Sequence, residues 1–113
     1  MTDQQKAAII NALRSMSAIT SLQKDILDTW DALNNIQVDE KTARNQAFSN
    51  NLRHPDVFAA IKAMPGVVYK TAETFTRDDV IFTLSRQLDG LIAKELEVQV
   101  KDNTNKANLG NNR

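Results

Sequence analysis

The sequence contains no cysteine. That excludes disulfides, thiolate metal sites and a cysteine nucleophile, and it accords with a reducing compartment. Glycine and proline are nearly as scarce, three and two residues. Both residues punctuate a chain with turns. An all-β fold needs a turn roughly every eight to twelve residues, so this scarcity argues against one. An excess of charge of one sign is missing too: 14 basic residues balance 14 acidic ones. Nucleic-acid binders draw much of their affinity from clustered Lys and Arg set against phosphate, and nothing global supplies that here. No apolar run approaches the roughly 18 residues of a membrane helix. The opening residues Met1-Thr2-Asp3-Gln4-Gln5 lack the basic stretch and apolar run of a secretion signal. The expected setting is cytoplasmic, or within something assembled inside a cell, with no membrane as partner.

What remains is a chain of 113 residues, enough for one domain with a modest core. Leu, Ile, Val and Phe make up about a quarter of it, above the level at which disorder is the default. Thr2 and Gln5 have the spacing of a capping box, in which each side chain satisfies the other's backbone N–H. Ile9, Leu13, Met16, Ile19, Leu22, Ile26, Trp30 and Leu33 then recur in steps of three or four, the period of a packed helical seam. The pattern predicts one long helix over about 3–34. Its weak point is Ser15, Ser17, Thr20 and Ser21, whose hydroxyls compete for backbone hydrogen bonds. A bend is expected there, and Thr20 with Gln23 has the spacing of a second cap.

Asp39 reads as the cap of a short helix, with Glu40 in its first turn, where negative charge suits the dipole. Ala43, Ala47, Phe48 and Leu52 give that helix a thin apolar face. Pro55 suits the first position of the next helix, because its missing N–H would be unpaired there anyway. Val57, Phe58, Ile61 and Met64 line one side of it, and Pro65-Gly66 ends it. Val67-Val68-Tyr69 fits a strand, a loop or a helical turn equally well. Thr76 and Asp79 form an acidic capping pair. The helix that follows, expected over about 77–100, carries Val80, Ile81, Leu84, Leu88, Leu91, Ile92 and Leu96. Gly90 inside it costs about 1 kcal/mol against alanine, which marks either a close approach or simple tolerance. Residues 102–113 hold one large apolar residue, Leu109, too little to offset ordering entropy. They are expected to be a polar flexible tail after a single domain over 1–101.

Few groups offer chemistry. His54 is the only histidine; catalysis would need a nucleophile and an orienting acid beside it, and its plainest reading is a helix-entry residue ahead of Pro55. Asp25, Asp28 and Asp31 recur every three residues, a spacing read as a solvated acidic face that could dock a basic partner. No Asp-x-Asp-x-Asp-Gly loop accompanies them, so no metal is expected. No phosphate loop, zinc-protease motif or nucleophile elbow occurs. No catalytic residue, cofactor or small-molecule substrate is evident, and the chain is expected not to be an enzyme. Lys41, Arg44 and Arg53 place three cations in a stretch without an acid, and Lys62, Lys70, Arg77 and Arg86 follow. Trp30 is either a core residue or an anchor in a partner's groove, since Trp is enriched at binding hot spots.

The expected fold is all-α: an irregular bundle of two long amphipathic helices with two short helices closing the side. The stripe of the last helix outruns what the short helices can cover. That leaves Leu91, Leu96 and Val98, with Trp30 and Asp25, Asp28 and Asp31, as candidate partner-binding residues. The expected function is a non-enzymatic interaction or assembly protein, acting through a protein partner or by self-association as a subunit, adaptor or small inhibitor. A virion or tail-assembly component of a phage is its most specific form. The alternative is a small DNA-binding regulator with a helix-turn-helix-like pair around residues 40–64.

Overall fold

The computed structural model describes residues 1–67 and 71–111; of residue 72 and residues 102–111 it describes the backbone alone. These residues form five α-helices and no strand: α1 (Asp3–Arg14), α2 (Ser21–Asn35), α3 (Glu40–Arg53), α4 (Pro55–Lys62) and α5 (Arg77–Asn111), with a 3-10 turn at Ala72–Thr74. The all-α expectation holds. Of the Val67-Val68-Tyr69 run, Val68 and Tyr69 lie outside the described residues.

The single helix expected over 3–34 is corrected to two. Thr2 and Thr20 both build complete capping boxes, with Gln5 and Gln23. At Thr20 the backbone N–H donates to Gln23 Oε1 at 2.9 Å and the hydroxyl accepts from the Gln23 N–H at 3.1 Å. Upstream, the Ser15 hydroxyl donates to the Ala12 carbonyl at 2.7 Å, closing the last turn of α1. Local hydroxyl bonds thus end one helix and start the next, although the apolar period runs straight through. Met16 and Ile19, which lie on that period, are exposed in the break.

The other boundaries follow their caps. Asp39 accepts from the Thr42 N–H at 3.0 Å. His54 alone separates α3 from α4, serving as C-cap of one and N-cap of the other, with Pro55 opening α4. Gly66 takes a positive φ of 82° just after Pro65, a conformation glycine adopts without steric cost. Thr76 and Asp79 satisfy each other as expected, at 2.9 and 3.2 Å. The backbone of α5 continues as helix to Asn111 instead of ending near residue 100. The side chains of the expected flexible tail, 102–113, lie outside the described residues.

α5 is the axis of the bundle. Gln23 reaches Glu95 while Arg77 reaches Gln37, so α2 runs antiparallel to it. Asn50 meets Gln87 and Arg44 meets Phe75, so α3 runs parallel. Lys94 reaches Asp56 near the start of α4, and Lys6 of α1 pairs with Asp89. Val80, Leu84, Leu88, Leu91 and Ile92 are fully buried along α5. They serve two apolar clusters. One gathers Ile10, Leu13, Ile26 and Val57 around Leu88, Leu91 and Ile92; the other gathers Ala32, Ile36, Ala43 and Ala47 around Val80 and Leu84. The face of α3 differs from expectation at its end: Leu52 is 84% exposed, and Asn50 is buried in its place. Ala43, Ala47 and Asn50 follow the four- and three-residue steps of one helical face, which Leu52 leaves.

Candidate interaction surface

Two kinds of residue stand apart from ordinary packing: polar groups buried between the helices, and apolar groups left outside them.

The buried polar groups form a layer between the two apolar clusters. Asn50 donates to Thr29 Oγ1 at 2.8 Å and to Gln87 Oε1 at 3.0 Å. Gln87 donates in turn to the Ala47 carbonyl at 2.8 Å and to Asn51 at 2.9 Å, and the Thr29 hydroxyl donates to the Asp25 carbonyl at 2.6 Å. Closer to the far end of the bundle, Gln23 donates to Glu95 at 2.9 Å. Among the described residues no buried side-chain polar atom lacks a partner. Such a network fixes the register of α2, α3 and α5, because any slip would leave buried donors unpaired.

His54 belongs to this interior. Its Nε2 lies 2.7 Å from Asp25 Oδ2 and its Nδ1 3.3 Å from Lys94 Nζ. An ammonium offers donors only, so the Lys94 contact makes Nδ1 the acceptor and leaves Nε2–H to donate to Asp25. Arg53 Nε adds a contact to the same carboxylate at 3.3 Å, and Lys94 also pairs with Asp56 at 3.2 Å. Burial raises the Asp56 carboxyl, but the hydrogen bonds from Lys94 and the Val57 backbone outweigh it and hold the group below the usual aspartate range. Both ring nitrogens of the buried His54 are thus engaged, and the ring ties α2 to α5 at the junction of α3 and α4. The pairing with Asp25, 29 residues away in sequence, is a contact that no local sequence signal announces.

The predicted partner residues divide. Asp25 is buried and therefore is not part of a solvated face. The physical reason is helical geometry: each three-residue step falls about 60° short of a full turn. Asp31 thus lies well round the helix from Asp25. Asp28 and Asp31 do line one groove between α2 and α3, together with Asp39. Lys24 pairs with Asp28 at 2.7 Å, Arg14 pairs with Asp31, and hydrogen bonds from Thr42 hold Asp39 below the usual aspartate range. Leu91 is fully buried and is corrected from partner residue to core residue. Trp30 is half-buried and packs against the first apolar cluster. In the basic stretch of α3, Arg44 reaches Glu40 and Arg53 reaches Asp25; Arg77, at the start of α5, also reaches Glu40.

Leu96 and Val98 lie where expected, on the outside. Glu95 is the last buried residue of α5 among those whose side chains are described. Beyond it Leu96, Val98 and Val100 are 37%, 52% and 63% exposed. Leu96 and Val100 share a face at a four-residue spacing, while Val98 points to nearly the opposite side. The helix therefore leaves the bundle with apolar groups on two sides.

Among the described residues no group of His, Asp and Glu has the clustering of a metal site, and no helix is long and apolar enough to cross a membrane. Comparison with protein-family models, with curated proteins and with solved structures returned no match.

Proposed function

We propose that this chain is a non-enzymatic protein-interaction subunit that holds a protein partner with the distal part of α5. One observation carries the reading: Leu96, Val98 and Val100 stand exposed where α5 has left its own bundle. A helix laid on the surface of a partner needs one apolar side. Apolar groups on two sides suit a helix end that enters a cleft or sits between two partner elements. Helix α5 is anchored in the bundle through Val80 to Ile92 and continues beyond it as helix, which presents these groups on one element. Within this reading the chain acts as a subunit or adaptor of an assembly, a phage virion or tail component being the form its composition suggests.

Self-association is the first form to test. Light scattering of the full chain over a wide concentration range should show a mass above the monomer, and a Val98→Asp, Val100→Asp chain should remain monomeric. A wild-type chain that stays monomeric at high concentration removes the self-associating form and leaves a different protein as partner.

The DNA-binding alternative has less support. A helix-turn-helix pair needs a turn of about three or four residues between its helices, and α3 and α4 share the single residue His54. The pairing of Arg44, Arg53 and Arg77 with carboxylates also reduces the charge available to phosphate. An anisotropy titration with duplex DNA at low salt should show no binding; tight binding that weakens steeply with salt would restore the alternative.

A further inference from the structure

The chain has four phenylalanines, and all four line one cavity. Phe48 of α3, Phe58 of α4, Phe75 before α5 and Phe82 within it surround a space of about 320 Å³, with Ile61 and Val67. None of the four is fully buried. Phenylalanine is among the side chains that stabilise a core most per residue. Here the fully buried clusters are built from Leu, Ile, Val and Ala, and the rings border an opening. The rings are also held in place. Phe48 and Phe75 lie tilted with centroids 5.4 Å apart, and Lys62, Arg86 and Arg44 sit over Phe58, Phe82 and Phe75 at 4.5, 5.1 and 5.9 Å.

Two polar side chains in the lining carry unused hydrogen-bonding capacity among the described residues. Asn51 accepts from Gln87 through Oδ1, which leaves its amide N–H groups as donors. The Thr83 hydroxyl, one helical turn past Asp79, has no hydrogen-bond partner among the described residues. An apolar pocket with a few convergent polar groups is the usual form of a small-molecule site. Among the described residues the lining holds one cation and one anion, Lys62 and Asp79, and these favour neither sign of net charge. The volume lies at the lower end of ligand pockets, which run from about 300 to 1,000 Å³, and suits one or two rings.

We infer that this cavity is a binding site for a small uncharged aromatic compound bearing one hydrogen-bond acceptor, such as a ketone, with its ring among the four phenylalanines and its acceptor facing Asn51 and Thr83. The site lies between α3, α4 and α5, at the opposite end of α5 from Leu96 and Val100, so it stands independently of the interaction proposed above.

Acetophenone and ethylbenzene differ by the acceptor oxygen and little in shape. Titration of the isotope-labelled full chain with each, followed by NMR, should give saturable amide shifts centred on Asn51, Phe58, Ile61 and Thr83. Acetophenone should bind about fivefold or more tighter, the worth of one hydrogen bond. Thr83→Val, which keeps the side-chain shape, should lower acetophenone affinity about fivefold and leave ethylbenzene unchanged. Thr83→Trp should fill the cavity and abolish both, with the dispersed spectrum confirming the fold. Absence of saturation by either compound, shifts centred away from the cavity, or a Thr83→Val chain that binds both compounds as before would overturn the inference.

Discussion

Val57 and Gly90 meet where α4 crosses α5: a Cβ placed on Gly90 would lie 2.8 Å from Val57 Cγ1. The contact explains a glycine in the middle of the best-patterned helix. It brings α4 close enough to α5 for Val57 to join the buried cluster with Leu91 and Ile92.

Gly90→Ala is the first prediction. Alanine favours the helix by about 1 kcal/mol, but Val57 is β-branched and stiff, and overpacking a core costs about 1–3 kcal/mol. The substitution should destabilise the protein in urea denaturation. In a Val57→Ala background the clash is gone, and the same change should be neutral or stabilising. Stabilisation of the otherwise wild-type protein by Gly90→Ala would contradict the contact.

Asn50 should be the most sensitive polar residue of the interior. Asn50→Leu removes the bonds to Thr29 and Gln87 and leaves the Gln87 carbonyl oxygen buried without a donor. The expected loss is about 2–3 kcal/mol. Replacing the exposed Asn45 by leucine should change stability by less than about 0.5 kcal/mol. Equal effects of the two, measured by chemical denaturation, would mean that the polar layer does not hold the helices together.

Glu40 ties the start of α3 to the start of α5. Hydrogen bonds from Arg77, then Arg44, hold its carboxyl below the ordinary glutamate value of 4.5. A depressed folded-state pKa contributes stability that is present above the unfolded-state value and is lost as pH falls through the folded-state value. Wild type should therefore be more stable than Glu40→Gln at neutral pH, and the gap should close as the pH is lowered below about 4.5. A gap that is constant from pH 7 to pH 3 would remove the ion pairs as its cause.

The fold was legible where one local signal dominated. The Thr2 and Thr76 caps, the Pro55 start and the α5 stripe all stand in the sequence as they stand in the structure. The break between α1 and α2 was half legible. The Thr20 cap was visible, but Met16 and Ile19 continue the apolar period and suggest continuity, and only the three-dimensional placement leaves them exposed. The site was less legible because it depends on contacts between distant residues. Asp25 with His54, Thr29 with Asn50 and Gln87, and the four phenylalanines are each separated by loops whose paths no periodicity encodes. One clue was present: Asn50 and Gln87 occupy positions on otherwise apolar faces, where a polar residue implies a buried partner. Leu91 was misjudged because a stripe shows which side of a helix is buried, not how far along it the partner helices reach.

Site-specific photo-crosslinking decides whether the distal part of α5 holds a protein partner. A photoreactive residue would be placed singly at Leu96, Val98 or Val100, with Lys41 on α3 as the control, in the full chain expressed in its native source. Discrete protein adducts are expected from all three α5 positions, on both sides of the helix, and none from Lys41. Adducts from Lys41 alone, or none from any α5 position, would contradict the proposed interaction.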